Sequence, residues 1–208
     1  MSDLLTYLRR LNSKERFFFI GHVLGKEGFP ISRAFRSRLE ETVAISIPPQ
    51  VFSAMDYHLD WLYASMCVAA PNSGSGPFSN REQMIMAQQE DIDYLIAFEA
   101  RGSHHIILIE AKAKSGWVNS QLLSKVMRLS TIFGPDGQRW NSIEPHFLLM
   151  SPNVPSKVDV SRWPGWMRDR KHPYHLRLPV PDDLLKVARC TRDGRQSENG
   201  SYWKAVAR

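Results

Sequence analysis

Cysteine is nearly absent from this 208-residue chain, with Cys67 and Cys190 the only two. Two distant thiols make neither a disulfide framework nor a cysteine-rich zinc site, and they point to a reducing, cytoplasmic setting. Long apolar runs are missing as well. No segment reaches the length a membrane span needs, and "RFFFIGHVLG" is too short to span, so it is expected to pack in a core. The opening "MSDLLTYLRR" lacks the apolar core and cleavage site of a signal peptide. Low complexity is confined to "APNSGSGPFSN", residues 70–80, and no internal repeat is visible.

What is present is an ordinary globular composition, 43% hydrophobic and 23% charged, which excludes wholesale disorder and suits one domain with its own core. The net charge is +6, and its placement is uneven. Residues 1–150 carry 15 Lys and Arg against 15 Asp and Glu, whereas residues 151–208 carry 12 against 6. A basic C-terminal extension on a neutral body suits a polyanionic partner such as nucleic acid; a solvated surface that keeps the protein soluble is the simpler account.

Periodicity predicts helices over "SDLLTYLRRL", with Ser2 as N-cap, over "SKERFFFIGHVLG", stopped by Gly25, and over "SRAFRSRLEETVA". "VFSAMDYHLDWLYASM" aligns Phe52, Met55, Leu59, Leu62 and Met66 on one helical stripe. A short strand is expected near Met84–Ala87, then two strongly apolar strands in "EDIDYLIAFEARGSHHIILIEAKAKSGW". "SQLLSKVMRLSTIF" reads as an amphipathic helix and "PHFLLMSP" as a buried strand. Beyond these, "YHLRLPVP" is an edge strand, "PDDLLKVARC" a short helix, and the last 18 residues a peripheral hairpin. The order describes an α/β or α+β domain around a mixed central sheet.

The two apolar strands raise a physical question, because one opens on Glu90, Asp91 and Asp93 and the other closes on Glu110, Lys112 and Lys114. Residues i and i+2 of a strand share a face, so Glu110 and Lys112 lie together with Ala111 turned away. The turn around Gly102 brings Asp93 back beside them. Such charges at the end of a buried hairpin are tolerable if they, or a metal, compensate one another. Two carboxylates suit a hard cation such as Mg²⁺, and a neighbouring lysine can activate water or stabilise phosphate charge.

Asp93 followed by "EAK" at Glu110–Lys112, closing an "IILIE" strand, resembles the PD-(D/E)xK, or restriction-endonuclease-like, nuclease superfamily. Ile92 stands where that name has proline. The resemblance spans residues 50–150, with residues 1–49 as N-terminal helices and 151–208 as the basic extension of one domain. It implies an αβββαβ core, Mg²⁺ or Mn²⁺, and hydrolysis of phosphodiester bonds in nucleic acid, DNA rather than RNA. By the same resemblance Asp93 and Glu110 are metal ligands and Lys112 the catalytic lysine. The family's first core helix commonly adds an acid; Asp60 is the preferred residue, with Asp56 beside it at i, i+4 spacing and Glu40 the fallback. Gln121, on the following helix, matches a position that approaches the site in related nucleases. Lys125 and Arg128 share its face and are equally read as surface charges. Nucleases that cut both strands often pair as twofold dimers, so a homodimer is one expectation. A catalytically inactive member acting as a binding module, or an unrelated regulatory α/β protein, would keep the scaffold without the chemistry. His104 and His105 have no further ligand spacing and read as neutral surface histidines, and the scattered tryptophans form no stacking platform.

Overall fold

A computed structural model of the chain describes residues 4–25, 29–71, 73–74, 77–87, 90–113 and 115–207. The expected N-cap Ser2 and the strand-end Lys114 lie outside them. Three helices come first: α1 (Leu4–Leu11), α2 (Glu15–Leu24) and α3 (Arg33–Val43). Ser32 caps α3 by accepting from the Phe35 amide at 3.2 Å, which satisfies one of the free N–H groups of the first turn. Gly25 ends α2 in the left-handed region at φ 63°, which glycine adopts without a Cβ clash. Of the apolar run in α2 only Phe17 is buried, against Phe29 and Phe52; Phe18, Phe19, Val23 and Leu24 face outward. The expectation of a core helix there holds for one side only, because one turn reaches the body and the rest projects past it.

The central sheet takes the order β1 (Phe52–His58), β2 (Asp91–Ala100), β3 (Ser103–Ala111), β4 (Ile143–Ser151) and an edge strand, β7 (His175–Arg177). The first three run antiparallel, and β4 and β7 continue parallel. Helix α4 (Leu59–Ala69) joins β1 to β2, and α5 (Asn119–Phe133) makes the crossover from β3 to β4. Arg101 (φ 51°) and Gly102 (φ 79°) both turn left-handed between β2 and β3, which matches the right-handed strand twist. One face of the sheet packs Ile106 and Leu108 against α1, α4 and α5; the other packs Ile107 and Ile109 against α3. Burial on both faces is why "IILI" is a continuous apolar run and not an alternation. Two pairs of short strands complete the C-terminal part, β5 (Arg168–Asp169) with β6 (His172–Pro173) and β8 (Leu185–Cys190) with β9 (Tyr202–Ala207). No helix among the described residues is long and apolar enough to cross a membrane.

Three expectations are corrected. Phe52–His58 is strand, not the front half of a helix, and the helix begins at Leu59. The segment supplies the partner for the outer edge of β2, whose amides and carbonyls would otherwise be unpaired, and that pairing outweighs helical periodicity. Leu59, Leu62 and Met66 keep their buried stripe, while Met55 is exposed. Residues 84–87 form no strand; Met84 is buried and the amides of Met86 and Ala87 go to Asp60. Leu185–Cys190 is not helical but pairs with Tyr202–Ala207, so the C-terminal hairpin is wider than expected. Ala188 and Cys190 turn inward while Leu185 and Val187 are exposed, which is strand alternation.

Candidate active site at the end of the β2–β3 pair

The antiparallel ladder of β2 and β3 closes with Tyr94 opposite Ile109, which leaves Asp93 and Glu110 as the next residue on each strand. Glu110 is 8% exposed. A carboxylate that deep needs a partner, and Lys125 supplies one from α5, its Nζ 2.7 Å from Oε1. The same ammonium donates to the Asp91 carbonyl and so fastens α5 to the start of β2. Burial raises the pKa of Glu110 above the ordinary carboxylate value and the charge on Asp93 adds to the rise, while Lys125 and Lys112 act against both.

Glu110 and Lys112 open into one cleft of about 380 Å³, as strand parity requires. Glu90, Trp117, Gln121 and Lys125 also line it. Gln121 and Lys125 lie one turn apart on α5 and therefore share its cleft-facing side. The Lys112 amide donates to Met150 O at 2.9 Å, which sets the strand end beside β4. Lys112 and Trp117 also line a neighbouring groove that runs along residues 151–158 and contains Lys157. A phosphate chain in the cleft would meet three lysines along this path.

Asp93 stands at the same sheet end but does not line the cleft. Its Oδ2 accepts from the Ala111 amide at 2.7 Å, taking the place of a main-chain carbonyl. It lines a recess on the α3 face with Phe35, Met55, Asp56 and Tyr94. The cause is a paired irregularity. Ile92 and Leu95, three residues apart, both enter the core under α4 and α5, as do Ala54 and Tyr57 on β1. Asp56, left-handed at φ 48°, absorbs the extra step on β1, while the register around it holds from Met55–Tyr94 to Tyr57–Ile92. Strict alternation thus fails at Asp93 while it holds for Glu110 and Lys112.

The helix acids are engaged elsewhere. Asp60 lies in the first turn of α4, with Oδ1 2.8 Å from Arg128 Nη2 and Oδ2 accepting from the amides of Met86 at 3.0 Å and Ala87 at 2.8 Å. This nearly buried pair ties α4 to α5 and pins the 84–87 segment, leaving no oxygen of Asp60 directed at the cleft. Asp56 pairs with Arg16 of α2. Glu40 accepts from the Ile47 amide at 2.8 Å and closes the turn after α3. The helix that directly precedes the sheet is α3, which carries Glu40; α4, with Asp60, comes after the first strand.

Lys125 and Arg128, read from the sequence as equally fit for the surface, are both committed to carboxylates. His104 and His105 are buried, contrary to expectation. His105 meets Glu144 and His146 of β4, the one group of three or more metal-competent side chains among the described residues. Burial holds His146 down at about 4, with the neighbouring His105 adding to the effect and Glu144 opposing it. The visible signal was Glu144-x-His146 inside a strand, two residues that must share a face. No family model, curated protein or solved structure matches this chain.

Proposed function

We propose that the chain is a restriction-endonuclease-like, metal-dependent nuclease acting on nucleic acid, DNA in preference to RNA. The observation that carries the reading is the cleft itself: a buried carboxylate, Glu110, shares it with Lys112, Lys125 and Gln121 where β3 leaves the sheet. The element order supports it. A helix, three antiparallel strands, a crossover helix and a strand parallel to the third occur in the order the αβββαβ core requires, with α4 inserted between the first two strands.

Glu110 gives the cleft one ligand suited to a hard divalent cation. Asp93 and Glu110 each keep one carboxylate oxygen without a protein donor among the described residues, and burial together with the charge on Asp93 makes Glu110 harder to ionise, a penalty a cation beside it would relieve. By the resemblance Asp93 and Glu110 would hold Mg²⁺ or Mn²⁺; of the two only Glu110 faces the cleft, and a cation held there would supply Lewis acidity toward a phosphate oxygen. The Lys112 ammonium offers positive charge to the scissile phosphate, where it acts mainly in the transition state. Lys125 opposes the rise in the pKa of Glu110 and fixes the carboxylate in direction. Gln121 contributes amide donors and an acceptor to orient phosphate or water.

Purified protein with Mg²⁺ or Mn²⁺ is expected to cleave linear, circular or single-stranded DNA, and Lys112→Ala to abolish cleavage while its thermal melt stays close to wild type. Undiminished cleavage in Lys112→Ala refutes the assignment. A second reading, a non-catalytic nucleic-acid-binding member of the same fold, is favoured by one observation: Asp93 lines the opposite recess and is bound to the Ala111 amide. Salt-sensitive DNA binding without cleavage of any DNA or RNA under several metals would select it.

A further inference from the structure

We propose that His105, Glu144 and His146 form a second metal site, one for a divalent transition ion of zinc's class, separate from the cleft. Parallel pairing sets His105 of β3 opposite Glu144 of β4, and the two-residue period of β4 adds His146 on the same side. His105 Nδ1 lies 3.3 Å from His146 Nε2 and 3.6 Å from Glu144 Oε2. A tetrahedral centre with bonds of roughly 2.0–2.1 Å to nitrogen and oxygen has ligand atoms about 3.3–3.4 Å apart, so the spacing is that of a coordination edge. It is long for a hydrogen bond between two imidazoles.

The rings are held in place. Phe98 stacks on His105 at 5.2 Å between centroids, and His105 stacks on His146 at 5.6 Å. His105 is buried, its polar partners among the described residues are these two side chains alone, and its Nε2 has none. Glu144 and His146 also line a cavity of about 660 Å³ with Asp136, Asn141, Trp166 and Tyr174, which leaves the remaining coordination position open to water or a small anion.

Ligand chemistry separates this site from the cleft. Two imidazoles and one carboxylate suit Zn²⁺, Co²⁺ or Fe²⁺, whereas all-oxygen donors suit Mg²⁺. Position separates it as well, since Glu110 lies five residue steps along β3 from His105, about 16 Å of strand, and the two face opposite sides of the sheet. The proposal therefore stands or falls independently of the nuclease reading.

The test is titration of the metal-stripped full chain with Zn²⁺, and with Co²⁺ as a spectroscopic probe. Wild type and Glu110→Gln are expected to bind one equivalent of Zn²⁺ and to give the intense visible absorption of a low-coordinate Co²⁺ centre. His146→Ala and Glu144→Gln are each expected to weaken Zn²⁺ binding by about tenfold or more and to lose that absorption. Glu144 has a side chain 56% exposed, so its variant should fold even if His146→Ala does not. Wild type that binds Zn²⁺ no more tightly than a folded Glu144→Gln, or loss of the bound equivalent in Glu110→Gln instead, overturns the site.

Discussion

Replacing Asp60 by alanine should destabilise the fold severely and leave intact any cation binding in the cleft, the proposed role of Glu110. Arg128 is 9% exposed and, without Asp60, keeps among the described residues only the Met84 carbonyl as a partner for a full positive charge. Removing one member of a buried ion pair costs about 3–5 kcal/mol, much of it the penalty of the charge left behind. The amides of Met86 and Ala87 lose their acceptor at the same time, although that segment is partly exposed and water can replace it. For a chain of this size the sum corresponds to a fall in Tm of about 10 °C. Thermal melting by circular dichroism reads it directly. Adding Arg128→Met to Asp60→Ala should recover about 1–3 kcal/mol, because the orphaned charge is gone. An Asp60→Ala protein that melts like wild type yet no longer binds Mn²⁺ would refute this account and place Asp60 in a metal shell.

A raised pKa means that folded Glu110 holds its proton more tightly than the unfolded chain does. Its favourable contribution is complete below the ordinary glutamate value and is lost as pH rises toward the folded pKa. The Tm of Glu110→Gln minus that of wild type should therefore increase as pH rises from 4.5, whatever constant offset Lys125 introduces; a difference that is flat with pH would contradict the burial argument. Lys157, in the groove that continues from Lys112, should touch phosphate if nucleic acid follows that path. Lys157→Ala is then expected to weaken DNA binding equally across sequences and to lower the slope of log affinity against log salt by about 1, measured by fluorescence anisotropy. An unchanged slope would take the path elsewhere.

Local pattern was enough for several of these features. The continuous apolar runs of β2 and β3, the Arg101–Gly102 turn and the buried stripe of α5 through Leu122, Val126, Leu129 and Phe133 follow from periodicity and turn chemistry. The common face of Glu110 and Lys112 follows too, because the two-residue period is intrinsic to a strand. Other features depended on partners distant in sequence. Phe52–Met66 fits a helix from end to end, and only the unpaired edge of β2 turned its first half into strand. Asp60 carried every local mark of a free helix acid until α5 brought Arg128 beside it, 68 residues away. Asp93 left the cleft because two neighbouring strands share an irregularity that neither reveals alone. His105 looked solitary because its companions are 39 and 41 residues further on, and parallel pairing of β3 with β4 alone sets them within reach. Backbone periodicity acts over a few residues and is written in the chain, whereas the partner of a buried charge or an imidazole is chosen when distant elements pack, where leaving either unpaired costs several kcal/mol.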